Sequence, residues 1–463
     1  MSPDQVLTAQ QMRAAEQALF DAGLPVIDLM ETAAGGAAEW IRRVAAGRAV
    51  TVLCGPGNNG GDGYVIARRL REAGNAVTVI APLAPATAAA QEARRRWAGA
   101  VAAMGEGAAG DVFVDCLFGS GLTRPLSDAH AALLGDLAAR HRIRIAIDLP
   151  SGIATDSGAV LNDGLPRFDL TLALGAWKFA HWSLPGRAMM GQLRLVPIGI
   201  AEVAGAARLA ARPRIAPPAA DSHKYRRGLL AILAGAMPGA SLLAGAAAQA
   251  AGAGYVKLLA SLPDPRTPPD IVTETAPPAE ALADSRIAAV LVGPGLGRDD
   301  FARTRLAAAL AQAPALVLDA DALVLLAPAM LTREIPILAT PHDGELEALC
   351  RSFAVTGETR RERALALARA SGMVVLAKGP DSLIAASDGR LALGIPAPSW
   401  LSVAGTGDVL AGIAASRMAA GADPVTAACE ALWLHGEAAR RAGPAFTPSQ
   451  LAGRVQEALA AAL

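Results

Sequence analysis

The sequence predicts an α/β protein in two domains, each a mostly parallel sheet covered by helices on both faces. Three observations carry this expectation. The chain has 463 residues, well beyond the roughly 250–300 at which a single hydrophobic core stops growing. Apolar runs that read as buried strands alternate throughout with helical segments, the pattern of parallel sheets buried on both sides. Between the halves this pattern thins into an Ala- and Pro-rich stretch over 201–221, ending in Arg212-Pro213-Arg214-Ile215-Ala216-Pro217-Pro218. Its prolines resist both helix and central strand, so a linker is expected over 206–222, between domains at 1–205 and 223–463.

Composition narrows the function. With 42 basic and 42 acidic residues the formal net charge is zero, and nothing points to nucleic acid or a membrane surface as partner. The cysteines Cys54, Cys116, Cys350 and Cys429 have neither the paired spacing of a zinc site nor the density of a secreted scaffold. Reduced thiols and a cytoplasmic location are expected. Asp4, Arg13, Glu16 and Asp21 have no apolar run between them, so neither a signal nor a transit peptide is expected. The uncharged stretch 228–256 is long enough to span a bilayer, but Met237-Pro238-Gly239 interrupts it. A buried strand, a loop and a buried helix fit it better. A homo-oligomer is compatible with all of this.

In the first half strands are expected at 50–54, 77–80, 112–115, 143–148 and 170–174, with helices at 64–73 and 86–103. Cys54 ends a strand, and Gly55-Pro56-Gly57-Asn58-Asn59-Gly60-Gly61-Asp62-Gly63 follows. Glycines there let backbone N–H groups approach an anion at the start of a helix, so a phosphate site is expected. The plainer reading is a tight strand-to-helix turn, but Asn58, Asn59 and Asp62 add side-chain oxygens. Two further strand ends carry acids: Asp115, before Leu117-Phe118-Gly119-Ser120-Gly121-Leu122-Thr123-Arg124-Pro125, and Asp148, before Leu149-Pro150-Ser151-Gly152. Ligands of open parallel sheets bind beyond such ends. Asn59, Asp115 and the Ser151 region would offer oxygens to a hard cation, and the 119–125 loop would offer N–H groups and a guanidinium to a second phosphate. A lone strand-end Asp is otherwise a helix cap.

These motifs, with Leu29-Met30-Glu31 and Leu174-Gly175-Ala176-Trp177-Lys178, resemble the NAD(P)HX epimerase family, known by the fold name YjeF N-terminal, over residues 1 to 200. The resemblance implies a Rossmann-like three-layer sandwich that interconverts the R and S hydrates of NADH and NADPH. It implies that Asn58, Asn59, Gly60, Gly61, Asp62, Gly119, Ser120, Gly121, Leu122, Thr123, Arg124, Pro125 and Asp148 contact the hydrate. Potassium would be held by Asn59, Asp115 and Ser151. Asp148 is the expected acid or base, because epimerising a carbon that bears a hydroxyl needs a proton donor and acceptor beside it.

The second half restarts at His223, with strands expected at 229–233, 288–292, 315–318, 337–339 and 374–377. Gly405-Thr406-Gly407-Asp408 opens a helix with an acid in its first turn. Such a start offers an anion hole to a phosphoryl group while the Asp accepts a proton from the attacking hydroxyl. Gly293-Pro294-Gly295-Leu296-Gly297 and Thr340-Pro341-His342 follow other strands. His342 is either a structural histidine or a substrate contact, the strand-end loop favouring contact. Lys378-Gly379-Pro380-Asp381-Ser382 offers an ammonium, N–H donors and a hydroxyl to a nucleotide. Asp319 and Asp321 either orient magnesium through water or cap the next helix, and the sequence does not choose.

With 223–228 and Met237-Pro238-Gly239-Ala240, these loops are similar to the ADP/ATP-dependent NAD(P)HX dehydratase family, which has a ribokinase-like fold, over 220 to 463. The resemblance implies that Ala240, Gly297, His342 and Asp408 meet the S hydrate. It places Lys378, Gly379, Pro380, Asp381, Ser382 and Gly407 on ADP or ATP with magnesium. ADP is favoured, since bacterial two-domain members typically use it. Three positions depart from the family pattern: Ala234-Gly235-Ala236 for Gly-Gly-Ser, Ser382 for Thr, and Ala397-Pro398-Ser399-Trp400-Leu401 for Asn-Pro-Gly-Met. The alternatives are a ribokinase-like small-molecule kinase fused to a dinucleotide-binding regulatory domain, and a non-catalytic ligand sensor.

Overall fold

A computed structural model describes residues 4–105 and 107–463. The chain divides into two compact units, Met1–Ala207 and Arg208–Leu463.

In the first unit the elements run β1 (Gln5–Leu7), α1 (Ala9–Asp21), α2 (Val26–Ala45), β2 (Val50–Cys54), α3 (Asn58–Glu72), β3 (Val77–Ile80) and α4 (Ala88–Trp97). There follow β4 (Gly110–Cys116), α5 (Asp128–Ala139), β5 (His141–Ile147), β6 (Leu170–Leu174), β7 (Trp177–Lys178) and β8 (Gln192–Val196). Six strands form a parallel sheet in the order β3-β2-β4-β5-β6-β8, and β1 pairs with β7. Alternate residues along one strand serve opposite cores. Val50, Val52 and Cys54 pack with α2 and α3, whereas Leu53 packs with Leu134 and Leu137 of α5. Both faces are therefore dry, as the largely apolar, buried β2 and β4 require.

Helix α3 begins at Asn58, six residues before the expected start at Tyr64. The glycines at 60, 61 and 63 have poor helix propensity, but packing overrides it. A Cβ on Gly60 would lie 1.8 Å from the Gly55 carbonyl oxygen, one on Gly61 2.5 Å from Met30 Cε, and one on Gly63 2.7 Å from Cys54 Sγ.

The second unit contains β9 (Ala207–Ala210), β10 (Leu229–Leu233), α6 (Pro238–Ala250), β11 (Tyr255–Leu259), β12 (Val272–Glu274), α7 (Pro278–Ala281), β13 (Ile287–Val292) and α8 (Asp300–Gln312). After these come β14 (Leu316–Leu318), α9 (Asp321–Leu325), β15 (Ile337–Ala339), α10 (Asp343–Ser352), α11 (Arg360–Ser371) and β16 (Val374–Ala377). The last elements are β17 (Leu383–Ala385), β18 (Leu391–Gly394), α12 (Thr406–Ala419), α13 (Pro424–Ala442) and α14 (Pro448–Ala462). The order is β12-β11-β10-β13-β14-β15-β16-β17-β18-β9, parallel through β16 and closed by an antiparallel β16-β17-β18 meander.

The stretch 228–256 becomes β10, a loop, α6 and the start of β11. Its small residues allow close packing: a Cβ on Gly412 of α12 would fall 2.2 Å from the Ala244 carbonyl oxygen of α6. Among the described residues no helix is long and apolar enough to cross a membrane. The segment expected as a linker is partly built into the second unit. Strand β9 pairs with β18, the Ile215 N–H donates to Ala462 O at 2.8 Å, and Ile215 joins the core.

Candidate active sites

In the first unit the strand order reverses between β2 and β4, which leaves a crevice beyond the carboxyl ends of the strands. A cavity of about 990 Å³ opens there. Asn58, Asn59 and Asp62 of α3, Gly119, Ser120, Gly121, Leu122, Thr123, Arg124 and Pro125 of the loop after β4, and Asp148 after β5 all line it. Gly60 and Gly61 do not, since they face β2 and α2 as described above.

Asp115 and Ser151 lie just behind the wall and tie its loops together. Asp115 accepts hydrogen bonds from Leu117 N (3.0 Å), Ser151 N (2.9 Å) and Ser151 Oγ (2.8 Å). Burial raises its carboxyl to about 6 against these bonds. Ser151 Oγ also accepts from Phe118 N at 2.9 Å. Asn59 differs, because its side-chain N and O are both buried without a hydrogen-bond partner among the described residues.

Asp148 is the most constrained residue of this site. Its φ is 64°, a left-handed conformation that costs a non-glycine residue about 1–2 kcal/mol. The surroundings over-determine it: its N–H donates to Leu172 O at 2.8 Å and its carbonyl accepts from His181 Nε2 at 2.7 Å. His181 Nδ1 accepts from Lys178 N at 2.9 Å, which places the imidazole proton on Nε2. Burial, with Lys178 adding to it, lowers His181 to about 4, so the ring is neutral. The Asp148 carboxylate meets Lys178 Nζ at 2.5 Å and accepts from Ser120 N at 3.2 Å and Leu174 N at 3.3 Å. Burial opposes its charge, but the charge and hydrogen bond of Lys178, with the Ser120 N–H adding to them, together hold the carboxyl below its ordinary range.

Sequence reasoning gave Lys178, quoted within 174–178, no role, and passed over Glu16, which also lines the cavity. Lys178 stands at a strand end, where the rule that found Asp148 applied equally. Glu16 comes from α1, and no local motif marks it.

In the second unit the order reverses between β10 and β13. The loops that follow these strands lock together, with Met237 N donating to Gly295 O at 2.9 Å. Gly295 has φ +64°, and a Cβ there would fall 3.1 Å from that of Ala240. Gly297 N donates to Asp321 Oδ2 at 3.0 Å, and Arg298 Nε donates to Asp321 Oδ1 at 2.8 Å. Asp321 thus ties two loops together.

Asp408 lies in the first turn of α12, which starts after Gly405 in a left-handed conformation. Burial raises its carboxyl to about 6, the Asp319 charge adding and Lys378 subtracting. Lys378 Nζ stands 2.5 Å from Asp319 Oδ1 and 3.9 Å from Glu345 Oε2, and a Cβ on Gly407 would lie 3.5 Å from it. Lys378, Gly407 and Asp408 therefore converge.

His342 caps α10, its Nδ1 accepting from Glu345 N at 3.2 Å, and its ring is mostly exposed. Ser382 Oγ is engaged within its own loop, accepting from Gly379 N at 3.0 Å and donating to Gly379 O at 2.7 Å. Around Pro380, that loop is braced by Arg360, a residue sequence reasoning missed. Arg360 donates to Asp381 Oδ1 at 2.6 Å and to Lys378 O at 2.6 Å. A smaller cavity of about 520 Å³, lined by Gly235, Pro238, Leu258, Ser261, Asp264 and Phe301 among others, holds none of the expected dehydratase contacts. Neither Asp408 nor Lys378 lines that cavity.

Comparison with known proteins agrees with this geometry. Residues 26–180 match the family described as YjeF-related protein N-terminus, and 230–460 match NAD(P)H-hydrate dehydratase. The bifunctional NAD(P)H-hydrate repair enzyme of Salinibacter ruber is 36% identical, over 96% of this chain and 93% of its own. That of Gloeobacter violaceus is 34% identical over 93% and 92%. A Bacillus subtilis ADP/ATP-dependent NAD(P)H-hydrate dehydratase, co-crystallised with ATP/Mg2+, aligns with 54% of this chain and 95% of its own at 25% identity and TM-score 0.46. With two family models covering most of its length and relatives matched over nearly full length, the chain belongs to the family of bifunctional NAD(P)H-hydrate repair enzymes.

Proposed function

We propose that the two units divide one repair between them. The first interconverts the R and S hydrates of NADH and NADPH at the Asp148 cavity. The second dehydrates the S hydrate at Asp408 with ADP. One observation carries the reading: beyond the carboxyl edge of each sheet an aspartate stands in the field of a lysine, Asp148 with Lys178 Nζ at 2.5 Å and Asp408 with the partly buried Lys378, the arrangement expected of proton-handling groups.

In the first unit the contacts are Asn58, Asn59, Asp62, the 119–125 loop and Asp148, with Gly60 and Gly61 serving by letting α3 approach. Potassium on Asn59, Asp115 and Ser151 fits the buried, unpartnered Oδ1 of Asn59 and would supply positive charge for the phosphates of the dinucleotide. In the second unit Asp408 accepts the proton of the ring hydroxyl as that oxygen attacks the terminal phosphorus of ADP. AMP leaves, and loss of phosphate with a ring proton then restores the nicotinamide double bond. Lys378 faces the phosphates from the loop that Arg360 braces. Ala240, Gly297 and His342 border the hydrate, and magnesium enters on the nucleotide phosphates, a mode that needs few protein oxygens. The reducing cytoplasm suits the four free cysteines.

The test supplies mixed hydrate epimers with ADP, ATP, both or neither and follows recovery of reduced-nicotinamide absorbance. Full recovery with ADP is expected. Recovery that stalls at the S fraction would remove the epimerase role, and a phosphorylated product that accumulates would favour a small-molecule kinase.

A further inference from the structure

The side chain of Asp62 has no structural task. It is 8% exposed, lines the 990 Å³ cavity, and no hydrogen bond to it exists among the described residues. A buried carboxyl left without a partner costs free energy unless a ligand or a proton satisfies it. The charges that act on it are those of Asp148, Glu16 and Lys178. Lys178 is already committed to Asp148 Oδ1 at 2.5 Å and to Leu174 O at 2.6 Å. One ammonium thus faces three carboxyls, and geometry assigns it to Asp148. Glu16 has Arg13 acting on it as well, so Asp62 is the carboxyl left uncompensated.

We propose that Asp62 is a second catalytic residue of the epimerase site, delivering a proton to the departing hydroxyl while Asp148 takes one from the incoming water. The inference rests on assigning this cavity to hydrate epimerisation. Burial first, then the charges of Asp148 and Glu16, pushes the Asp62 carboxyl well above its ordinary value, while Lys178 keeps Asp148 ionised. Two carboxyls driven apart in one site mark an acid and a base.

The chemistry balances. Hydration of an enamine ring places the hydroxyl on the carbon bonded to the ring nitrogen. Asp62 protonates that hydroxyl, the C–O bond breaks, water leaves with the bonding pair, and the nitrogen lone pair forms a C=N+ bond. A solvent water adds to the other face and gives its excess proton to Asp148. The epimer is formed with one proton moved from Asp62 to Asp148, and solvent returns it.

The test uses the full chain without nucleotide and follows conversion of purified R hydrate of NADPH to S by chromatography. Loss of a general acid is worth about 10²–10⁴ in rate, so Asp62→Asn is expected to lower kcat at least about 100-fold. KM is expected to move about threefold or less, and Asp62→Glu to recover part of the loss. A kcat within about threefold of wild type, or a rise in KM alone, overturns the proposal and leaves Asp62 a binding residue. Wild-type turnover in H2(18)O decides independently of any variant's folding. One labelled oxygen per conversion is expected, and retention of the original oxygen overturns the route. Should wild type fail to convert the R hydrate at all, the assignment of the cavity itself falls, a distinct result.

Discussion

Both sites bring an aspartate and a lysine, buried in the first and partly buried in the second, to the carboxyl edge of a parallel sheet, yet the lysines are spent differently. Lys178 binds Asp148 directly, at 2.5 Å. Lys378 binds a neighbour, Asp319, at the same distance, and Asp408 is left with only a weaker field. Lys178 helps hold one carboxyl below its ordinary range, while burial and then the Asp319 charge raise the other to about 6. The contrast fits the proposed tasks. An epimerase base must be ionised whenever substrate arrives, whereas Asp408 need only accept a proton as phosphoryl transfer proceeds, for which a pKa near working pH serves best.

The comparison is broken most directly by removing each acid in turn. Asp408→Asn should lower ADP-dependent dehydration of the S hydrate by about 10²–10⁴ and leave R-to-S conversion intact. Asp148→Asn should do the reverse. Chromatography of the epimers and absorbance of the reduced ring report the two activities separately, and equal residual activity in either variant would dissolve the assignment.

The next largest effect is on stability. Lys178→Met strands a buried carboxylate, a loss of about 3–5 kcal/mol at neutral pH. In the wild type, where the folded Asp148 value is depressed, this stabilisation is present above the unfolded carboxylate range and lost as pH falls through the folded value. Without Lys178, burial lifts the folded value above the unfolded one, so the penalty grows with rising pH. The unfolding midpoint of the first unit should therefore lie roughly 10 °C below wild type near pH 7, with the gap closing toward pH 4. A gap independent of pH would show that Lys178 acts through packing alone.

A smaller effect separates the sites by pH. Protonation of Asp408, with its value of about 6, should cut dehydration between pH 7 and 5, while Asp148 stays ionised as the epimerase base. Asp319→Asn removes one charge that raises Asp408 and frees Lys378 to pair with it, so the acidic limb of dehydration should move to lower pH. An unmoved limb would assign it to another group.

What the sequence could tell differs between the sites for physical reasons. Asp148 and Asp408 were legible because a strand end and a glycine-capped helix start are local features. The service of Lys178 was not, since it depends on the left-handed turn at Asp148 and on the closure of the chain from β5 to β7. Gly60 and Gly61 looked like a phosphate cradle, but their reason is the approach of Gly55 and Met30, which no local pattern contains. Ile215 sits among prolines and read as linker, though its N–H and side chain belong to the second unit. The 2-residue β7 and the half-exposed, 3-residue β12 carry too little apolar pattern to be read, whereas β14 and β15, equally short but wholly buried, were legible as apolar runs.

The smallest effect concerns Ser382, the position at which the resemblance leads one to expect Thr. Its hydroxyl accepts from Gly379 N and donates to Gly379 O, so it closes the 378–382 loop, proposed to meet the nucleotide, rather than reaching outward. Ser382→Thr keeps both bonds and should leave the KM for ADP within about twofold, as for substitutions that break no such feature. Ser382→Ala removes both, at about 0.5–1.5 kcal/mol each, and should raise that KM several-fold with kcat little changed. An unchanged KM in the alanine variant would mean that Arg360, through Asp381 and Lys378 O, holds the loop by itself. Arg360→Lys would then be the more damaging change, because an ammonium cannot reproduce the fork that grips both partners.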